Sequence, residues 1–286
     1  MSSLREIKDR IGSVRSTLKI TSAMKLVASA KLRKAQRAIE SMRPYEQALN
    51  DILLSLSGGG TGRGLPSAPQ VSPAAAVVVV SSNSSLCGGF NANIIRKAIE
   101  TIREQEAAGN AVKVFAIGRR AADALKKAGY PSEADWSELV GRPSFDKSTA
   151  LSGAIRERFE AGEFARVLLV YNHFVSAAAQ SQRVEQYLPF VSSAQEPAET
   201  ASEEEYIVEP SAAEVLETLI PQVMSLKFHA AVLDSCAAEH AARTVAMQTA
   251  TDNAEDLLSE LTLEYNKGRQ QKITSEILDL LGGAAQ

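Results

Sequence analysis

An α/β domain inserted between two long helices that pair as an antiparallel coiled coil is the fold class this sequence predicts. Three observations predict it. Both ends of the 286-residue chain carry apolar residues spaced alternately three and four apart, the heptad pattern that keeps one seam of a helix against a partner. The middle alternates short apolar runs with helical stretches, as sheets built from βαβ units do. The two ends carry opposite charge. Residues 1–57 hold eleven basic and five acidic side chains, and residues 211–286 hold five basic and eleven acidic, so the ends are expected to meet.

The first helix occupies residues 1–57. Leu4, Ile7, Ile11, Val14 and Leu18 set one heptad register, and Ala35, Ala38, Met42, Tyr45, Leu49, Ile52 and Leu56 set a second. The two do not connect cleanly, which places a phase slip near residues 20–27. Pro44 is a candidate kink. No acidic residue stands between Asp9 and Glu40, a feature shared with organelle transit peptides. The heptad pattern runs through this stretch to Leu56 and assigns it to the helix instead. Residues 58–73, rich in Gly, Pro and Ser, read as a linker. They lack the Lys-Ser/Thr ending of a phosphate-binding P-loop, and no strand precedes them.

The α/β part is expected over residues 74–210. "AAAVVVV" (residues 74–80) is a strand apolar enough to be buried on both faces. "NIIRKAIETIREQEA" is a helix, "VKVFAIG" a strand, and "RRAADALKKAG" a helix with a C-terminal Gly. "STALSGAIRERFEAG" and "ARVLLVYNHF" give a third helix and a third strand. "QRVEQYLPF" suits an edge strand, with Pro189 near its end. The last helix spans residues 211–286. Ser211 and Glu214 have capping-box spacing at its start. Leu216, Leu219, Val223, Leu226, Ala230, Leu233 and Ala237 continue into Ala241, Val245, Ala254, Leu257, Leu258, Leu261 and Tyr265. About seventy residues at 1.5 Å each make a rod of about 105 Å. The first helix reaches only about 80 Å by the same rise, so the far end of the last helix is expected to project alone or lie inside another protein.

Bulk numbers exclude several function classes. The chain is 45% hydrophobic and 23% charged with a net charge of −3, so no whole-molecule bias draws it to nucleic acid or membrane. No apolar run approaches the ~20 residues of a membrane span. Cys87 and Cys236 are the only cysteines and have neither metal nor disulfide spacing. His229 and His240 share a helix face but stand about 16 Å apart along it, too far to share a metal. Cys87 lies before a helix start, where a thiol can be activated, yet a structural Cys in a tight Gly turn is the plainer reading. No nucleophile, base and oxyanion donors come together. The sequence therefore predicts no catalytic residue, no metal site and no cofactor. A basic coiled-coil nucleic-acid-binding or scaffolding protein, with Lys31, Arg33, Lys34 and Arg37 meeting phosphates, is the alternative.

Four motifs, in order along the chain, resemble one family. "KITSAMKLVASAKLRKAQ" (residues 19–36) and "AARTVAMQTATDNAEDLLSELTLEYNKGRQQKITSEILDLLGGA" (residues 241–284) are similar to the terminal signatures of the gamma subunit of F-type ATP synthases. "SLCGGFN" (residues 85–91) and "YIVEP" (residues 206–210) are similar to two internal landmarks of that family. The resemblance implies a non-catalytic central stalk rotor of the F1Fo ATP synthase, coupling proton flow through the membrane c-ring to ATP synthesis or hydrolysis at the beta subunits. Its expected partners are the alpha3beta3 ring, the epsilon subunit and the c-ring of Fo, with no nucleic acid. Association with the membrane would be peripheral, through Fo, on the cytoplasmic side of a bacterial plasma membrane. By the same resemblance, Met24, Lys25, Arg243, Arg269 and Gln270 are expected to contact beta subunits, and Tyr206 and Glu209 the c-ring and epsilon. The small residues of "SAMKLVASA" and "GGAAQ" are expected at the shaft tip, where deep knobs would lock one orientation. "NSSLCGG" departs from the charged Asp-Arg-Gly that often precedes this turn in the family, which puts any salt bridge made there in doubt.

Overall fold

The computed structural model describes residues 4–56, 74–189, 208–209 and 211–283. Helix α1 (Leu4–Leu56) and helix α6 (Ala212–Gly283) are single uninterrupted helices of 53 and 72 residues, about 80 and 108 Å long. Both run on through a proline, Pro44 in α1 and Pro221 in α6. The Ser211 hydroxyl accepts from the Glu214 amide at 3.3 Å and donates to the Glu214 carboxylate, so the expected cap forms.

The two helices are antiparallel in a constant register. Leu4 meets Gly268, Thr251 Oγ1 donates to Thr21 Oγ1 at 2.9 Å, and Lys25 Nζ donates to Gln248 Oε1 at 2.8 Å. Near the free end, Ile7 and Ile11 cluster with Leu258, Leu261 and Tyr265. The expected phase slip is absent. On α1 the three-four spacing runs unbroken through Ile7, Ile11, Val14, Leu18, Thr21, Lys25, Ala28, Leu32, Ala35, Ile39, Met42, Glu46, Leu49 and Leu53, all buried or half-buried. Polar and small residues occupy the seam where a slip was expected. The apolar residues that made it look broken point outward: Ile20, Leu26 and Val27 are exposed. Tyr45, Val245 and Leu257, read as seam residues, are exposed too. On α6 the spacing passes instead through Ala237, His240, Thr244, Met247, Thr251 and Ala254.

Between the helices lies a four-stranded sheet, ordered β2-β1-β3-β4. Strands β1 (Ala74–Val80), β2 (Ala111–Ile117) and β3 (Arg166–Phe174) are parallel, and β4 (Gln180–Leu188) is an antiparallel edge. Strand β1 is central and every residue in it is buried, as its unbroken apolar run requires. Helices α2 (Phe90–Ala107) and α3 (Arg119–Lys127) cover one face. Their Ile94, Ala98, Ile102, Ala121 and Leu125 meet Val77, Val79, Val114 and Val170. Helices α4 (Ser137–Gly141) and α5 (Phe145–Glu160), with α6, cover the other, on Ala76, Val78, Phe115, Ile117, Val167 and Leu169. Helix α4 falls in a stretch whose sequence has no regular period.

Helix α6 thus has two packing duties along its first half. One side meets α1, and the other is a layer of the α/β core, so residues 223–242 are buried almost all round. Polar ties fix the second contact. His229 Nδ1 bonds Ser148 Oγ at 2.7 Å, and Ser225 Oγ meets Ser152 Oγ at 3.2 Å. The Tyr187 hydroxyl donates to the Met224 carbonyl at 3.1 Å. Asp234 accepts from the Phe174 amide at 3.0 Å and bonds His173 Nδ1 at 2.5 Å. Each such bond contributes ~1 kcal/mol net, but a partner left unmatched costs more.

The register places "SAMKLVASA" well down the shaft, opposite residues near Gln248, and not at the tip. Of its small residues Ala28 is buried in the seam, while Ala23 and Ala30 face outward. Beyond Gly268, α6 continues for about 15 residues or ~22 Å without a partner among the described residues, and residues 269–278 are all exposed. Ile273, Ile277 and Leu278 stand on that projecting stretch. The tip therefore carries large apolar side chains, and "GGAAQ" lies mostly outside the described residues.

Fully buried Ala237 sets the helix spacing at the crowded level. Ala237→Leu is expected to lower the unfolding free energy by about 1–3 kcal/mol in urea titration, whereas Ala30→Leu, on the exposed side of α1, leaves it unchanged.

Candidate functional site

In open α/β sheets ligands bind beyond the carboxyl ends of the strands, where the connections part to opposite faces. Here that crevice adjoins the ends of β1, β2 and β3, and the chain fills it with its own side chains. Ser81 Oγ accepts from the Ala121 amide at 2.9 Å, Asn83 Oδ1 from the Arg119 amide at 3.1 Å, and the Ser82 carbonyl from the Arg120 amide at 3.1 Å. The first amides of α3, which elsewhere cradle phosphates, are thereby spent. Gly118 makes the approach possible. Its φ is +107°, and a Cβ there would lie 2.4 Å from the Ser81 carbonyl oxygen.

Cys87 belongs to the same filled corner. It is 1% exposed, Asn91 Nδ2 donates to its sulfur at 3.1 Å, and burial pushes its thiol above the ordinary range despite nearby Arg243. A buried thiol with a raised pKa is a packing group, not an activated nucleophile. With Phe90 it packs on Ala238 and Ala242 of α6. Cys236 is fully enclosed and its thiol is likewise raised by burial. Among the described residues no group of three His, Cys, Asp or Glu side chains is placed to hold a metal ion.

The outside of the rod, by contrast, carries exposed apolar side chains. Leu26 and Val27 of α1 and Val245 of α6 lie at one level, fixed by the Lys25–Gln248 bond, just beyond the α/β domain. Leu86 is exposed beside the Arg243 level, held in the left-handed region at φ +66°. Ile20, Leu257 and Leu263 are exposed further along.

The residues expected to meet partners divide into groups. Met24 is half-buried beside the seam. Lys25 is turned across it to Gln248, whose amide donates to Asp252 at 2.6 Å. Arg269 and Gln270 are exposed on the projecting part of α6, and among the described residues nothing covers them there. Arg243 is different. Its guanidinium pairs with Glu239 and reaches Ser84 Oγ at 2.9 Å. Glu209 is exposed just ahead of α6, and Tyr206 lies outside the described residues. Lys25 and Arg243 stand near the neck, Arg269 and Gln270 more than 20 residues along the rod, so these residues form no single site. The outward-facing Ile20, Leu26, Val27 and Val245 escape sequence reading because apolar residues at near-heptad spacing pass for seam. The unbroken spacing through Thr21, Lys25, Ala28 and Leu32 is the signal that separates them.

Comparison with known proteins agrees with this geometry. A family model described as ATP synthase matches residues 3–286. The ATP synthase gamma chain of Bacteroides fragilis (strain YCH46) is 46% identical over 99% of both chains. That of Flavobacterium johnsoniae is 41% identical over 99% of this chain and 98% of its own. The chain belongs to the ATP synthase gamma chain family. Solved structures share the gamma chain fold at low identity. A chain of the Euglena gracilis mitochondrial ATP synthase, in an assembly of OSCP, F1 and c-ring, aligns at a TM-score of 0.65 and 18% identity, covering 99% of this chain and 93% of that one. A chain of the Tetrahymena thermophila central stalk and c-ring aligns at 0.58 and 19%, covering 81% and 99%. The gamma chain is part of a membrane-associated complex, yet among the described residues no helix is long and apolar enough to cross a membrane.

Burial gives the neck of this gamma chain a pH dependence. His229 is pushed below its usual value by burial, and His240 down to about 4 by burial first, then by Arg243 and Lys31. Both resist protonation when folded, while the unfolded chain binds protons there near 6.5. Their contribution to stability is complete above that value and declines below it, for His240 down to about 4. Glu239, raised by burial, acts in the opposite sense. Between about pH 7 and pH 5 the melting temperature is expected to fall further in the wild type than in His240→Gln, measured by circular dichroism. Separately, Gly118→Ala is expected to cost on the order of 2 kcal/mol or more, from positive φ and the clash together.

Proposed function

We propose that this gamma chain is the rotor of its ATP synthase: the coiled coil turns inside the alpha3beta3 ring, and the α/β domain joins it to the epsilon subunit and the c-ring. The observation that carries the reading is the rod itself. Two antiparallel helices in an unbroken register, ending in a lone projecting helix, make an axle stiffer than one helix and narrow enough to enter a sleeve. An axle made from one chain is asymmetric. It presents a different face to each of three surrounding sites at any moment, so turning it passes each site through different nucleotide affinities in succession.

The filled strand-end crevice supports a transmitting role, since the chain keeps no nucleotide site there. Arg269 and Gln270 suit a polar grip on a beta-subunit loop, the guanidinium offering a fork of donors to a carboxylate. Met24 and Lys25 face beta subunits nearer the domain, among the outward apolar residues Leu26, Val27 and Val245. Tyr206 and Glu209 belong to the end nearest the c-ring and epsilon. The complex works at the cytoplasmic face of a bacterial plasma membrane, a reading supported by the bacterial source of the relatives. A nucleic-acid role is not favoured, because the relatives along the whole chain are ATP synthase gamma chains.

The test is reconstitution of the full chain with alpha and beta subunits and with Fo in sealed vesicles, where proton pumping can be read. Native mass is expected to show one gamma chain per ring. Arg269→Ala is expected to lower proton pumping per ATP hydrolysed, with a loss of ~1.5–3 kcal/mol for a charged hydrogen bond, while the circular dichroism spectrum stays unchanged. Pumping equal to wild type would remove Arg269 from the contact, and failure of the ring to retain the chain would end the rotor reading.

A further inference from the structure

Arg243 stands where the shaft leaves the domain, a position from which an arginine would be expected to reach outward. Its guanidinium is committed inward. Nη1 pairs with the Glu239 carboxylate one turn earlier on α6. Nη2 donates to Ser84 Oγ at 2.9 Å and to the carbonyl oxygens of Ser84 and Ser85 at 3.4 and 3.3 Å. The two side chains are only 12% and 6% exposed. Swinging Arg243 outward would strand a buried carboxylate without its counter-charge.

What Arg243 grips is the loop between β1 and α2. That loop has its own internal ties. Ser82 Oγ donates to the Ser84 carbonyl at 2.6 Å, and Asn91 Nδ2 reaches Ser82 Oγ, the Ser84 carbonyl and the Cys87 sulfur. Cys87 and Phe90 press on Ala238 and Ala242 of the same helix α6. Small residues hold one side of the loop to the shaft, and Arg243 holds the other. Between these two anchors stands Leu86, with positive φ and its side chain 57% exposed. An apolar side chain held outward on a strained backbone needs its neighbours fixed.

We propose that Arg243 acts within the chain, as a positioning residue that latches the Ser84–Leu86 loop to the shaft, and not as a contact to the surrounding subunits. Ser84 supplies two of the acceptors, its hydroxyl and its carbonyl, where a basic side chain would repel the guanidinium. The latch ties the end of the central strand to α6 at the level where twist passes from domain to shaft. That consequence rests on the rotor reading; the latch itself does not.

The test is hydrogen exchange of residues 84–89 in the full-length chain, alone and in the reconstituted complex, with proton pumping measured alongside. Arg243→Gln is expected to speed exchange there by about tenfold, as loss of a charged hydrogen bond would, and to lower pumping per ATP. Ser84→Ala is expected to give a smaller rise that does not add to the first. Arg243→Lys, which keeps the charge but not the fork, is expected to behave like Ser84→Ala. Ser84→Asp, which gives the guanidinium a carboxylate, is expected to slow exchange below wild type, and it decides the matter if Arg243→Gln does not fold. Unchanged loop exchange in Arg243→Gln with weakened retention by the ring would overturn the proposal, as would faster exchange in Ser84→Asp. Loss of ring binding by the wild type counts against the rotor reading alone, because the latch is read equally well on the free chain.

Discussion

Everything in this structure depends on helix α6 being packed from two sides at once. From residue 223 to residue 242 it is the partner of α1 and also a layer of the α/β core. An ordinary amphipathic helix has one apolar stripe and a wet face. A helix with two packing duties has no wet face, and its side chains must be small where both neighbours press closely. The alanines at 237, 238, 241 and 242 meet that demand. Because the same helix serves both bodies, the domain cannot rotate about the shaft without breaking its core.

Polar residues supplement that contact at chosen levels. His229, Ser225, Asp234 and Arg243 each leave α6 to meet a different part of the domain: α5 for the first two, the end of β3 for the third, and the loop after β1 for the last. Apolar packing is non-directional and tolerates sliding. Hydrogen bonds with partners on fixed elements do not, since a slide of one turn would leave buried donors and acceptors unmatched. The distribution of these ties along about 20 residues is what a member that transmits twist requires.

The strand-end crevice shows the same economy in another form. A sheet of this topology offers a ligand site almost by default, and here Ser81, Ser82, Asn83 and the Gly118 approach close it with internal hydrogen bonds. The donors that would cradle a phosphate instead hold α3 to the central strand. The strand-end corner is thereby a rigid mounting for α3.

The sequence by itself determined every helix but the short α4, the strand order of appearance, the opposite charge of the two ends and the family. Those follow from local periodicity, from the all-apolar β1 and from long terminal motifs, none of which needs knowledge of neighbours. It also determined that α6 outruns α1, which is a matter of length. The side of the rod each residue occupies was decided only in three dimensions. Thr21, Lys25 and Ala28 lie in the seam while Leu26 and Val27 lie outside, because constant register with α6 outweighs the hydrophobicity of any one position. The same holds for Arg243: its spacing fits a partner-facing residue, and only the return of the β1–α2 loop to α6 supplies Ser84 and Ser85 as its acceptors. Contacts between residues about 160 positions apart leave no local periodicity to read, so their choice of partner belongs to the tertiary structure.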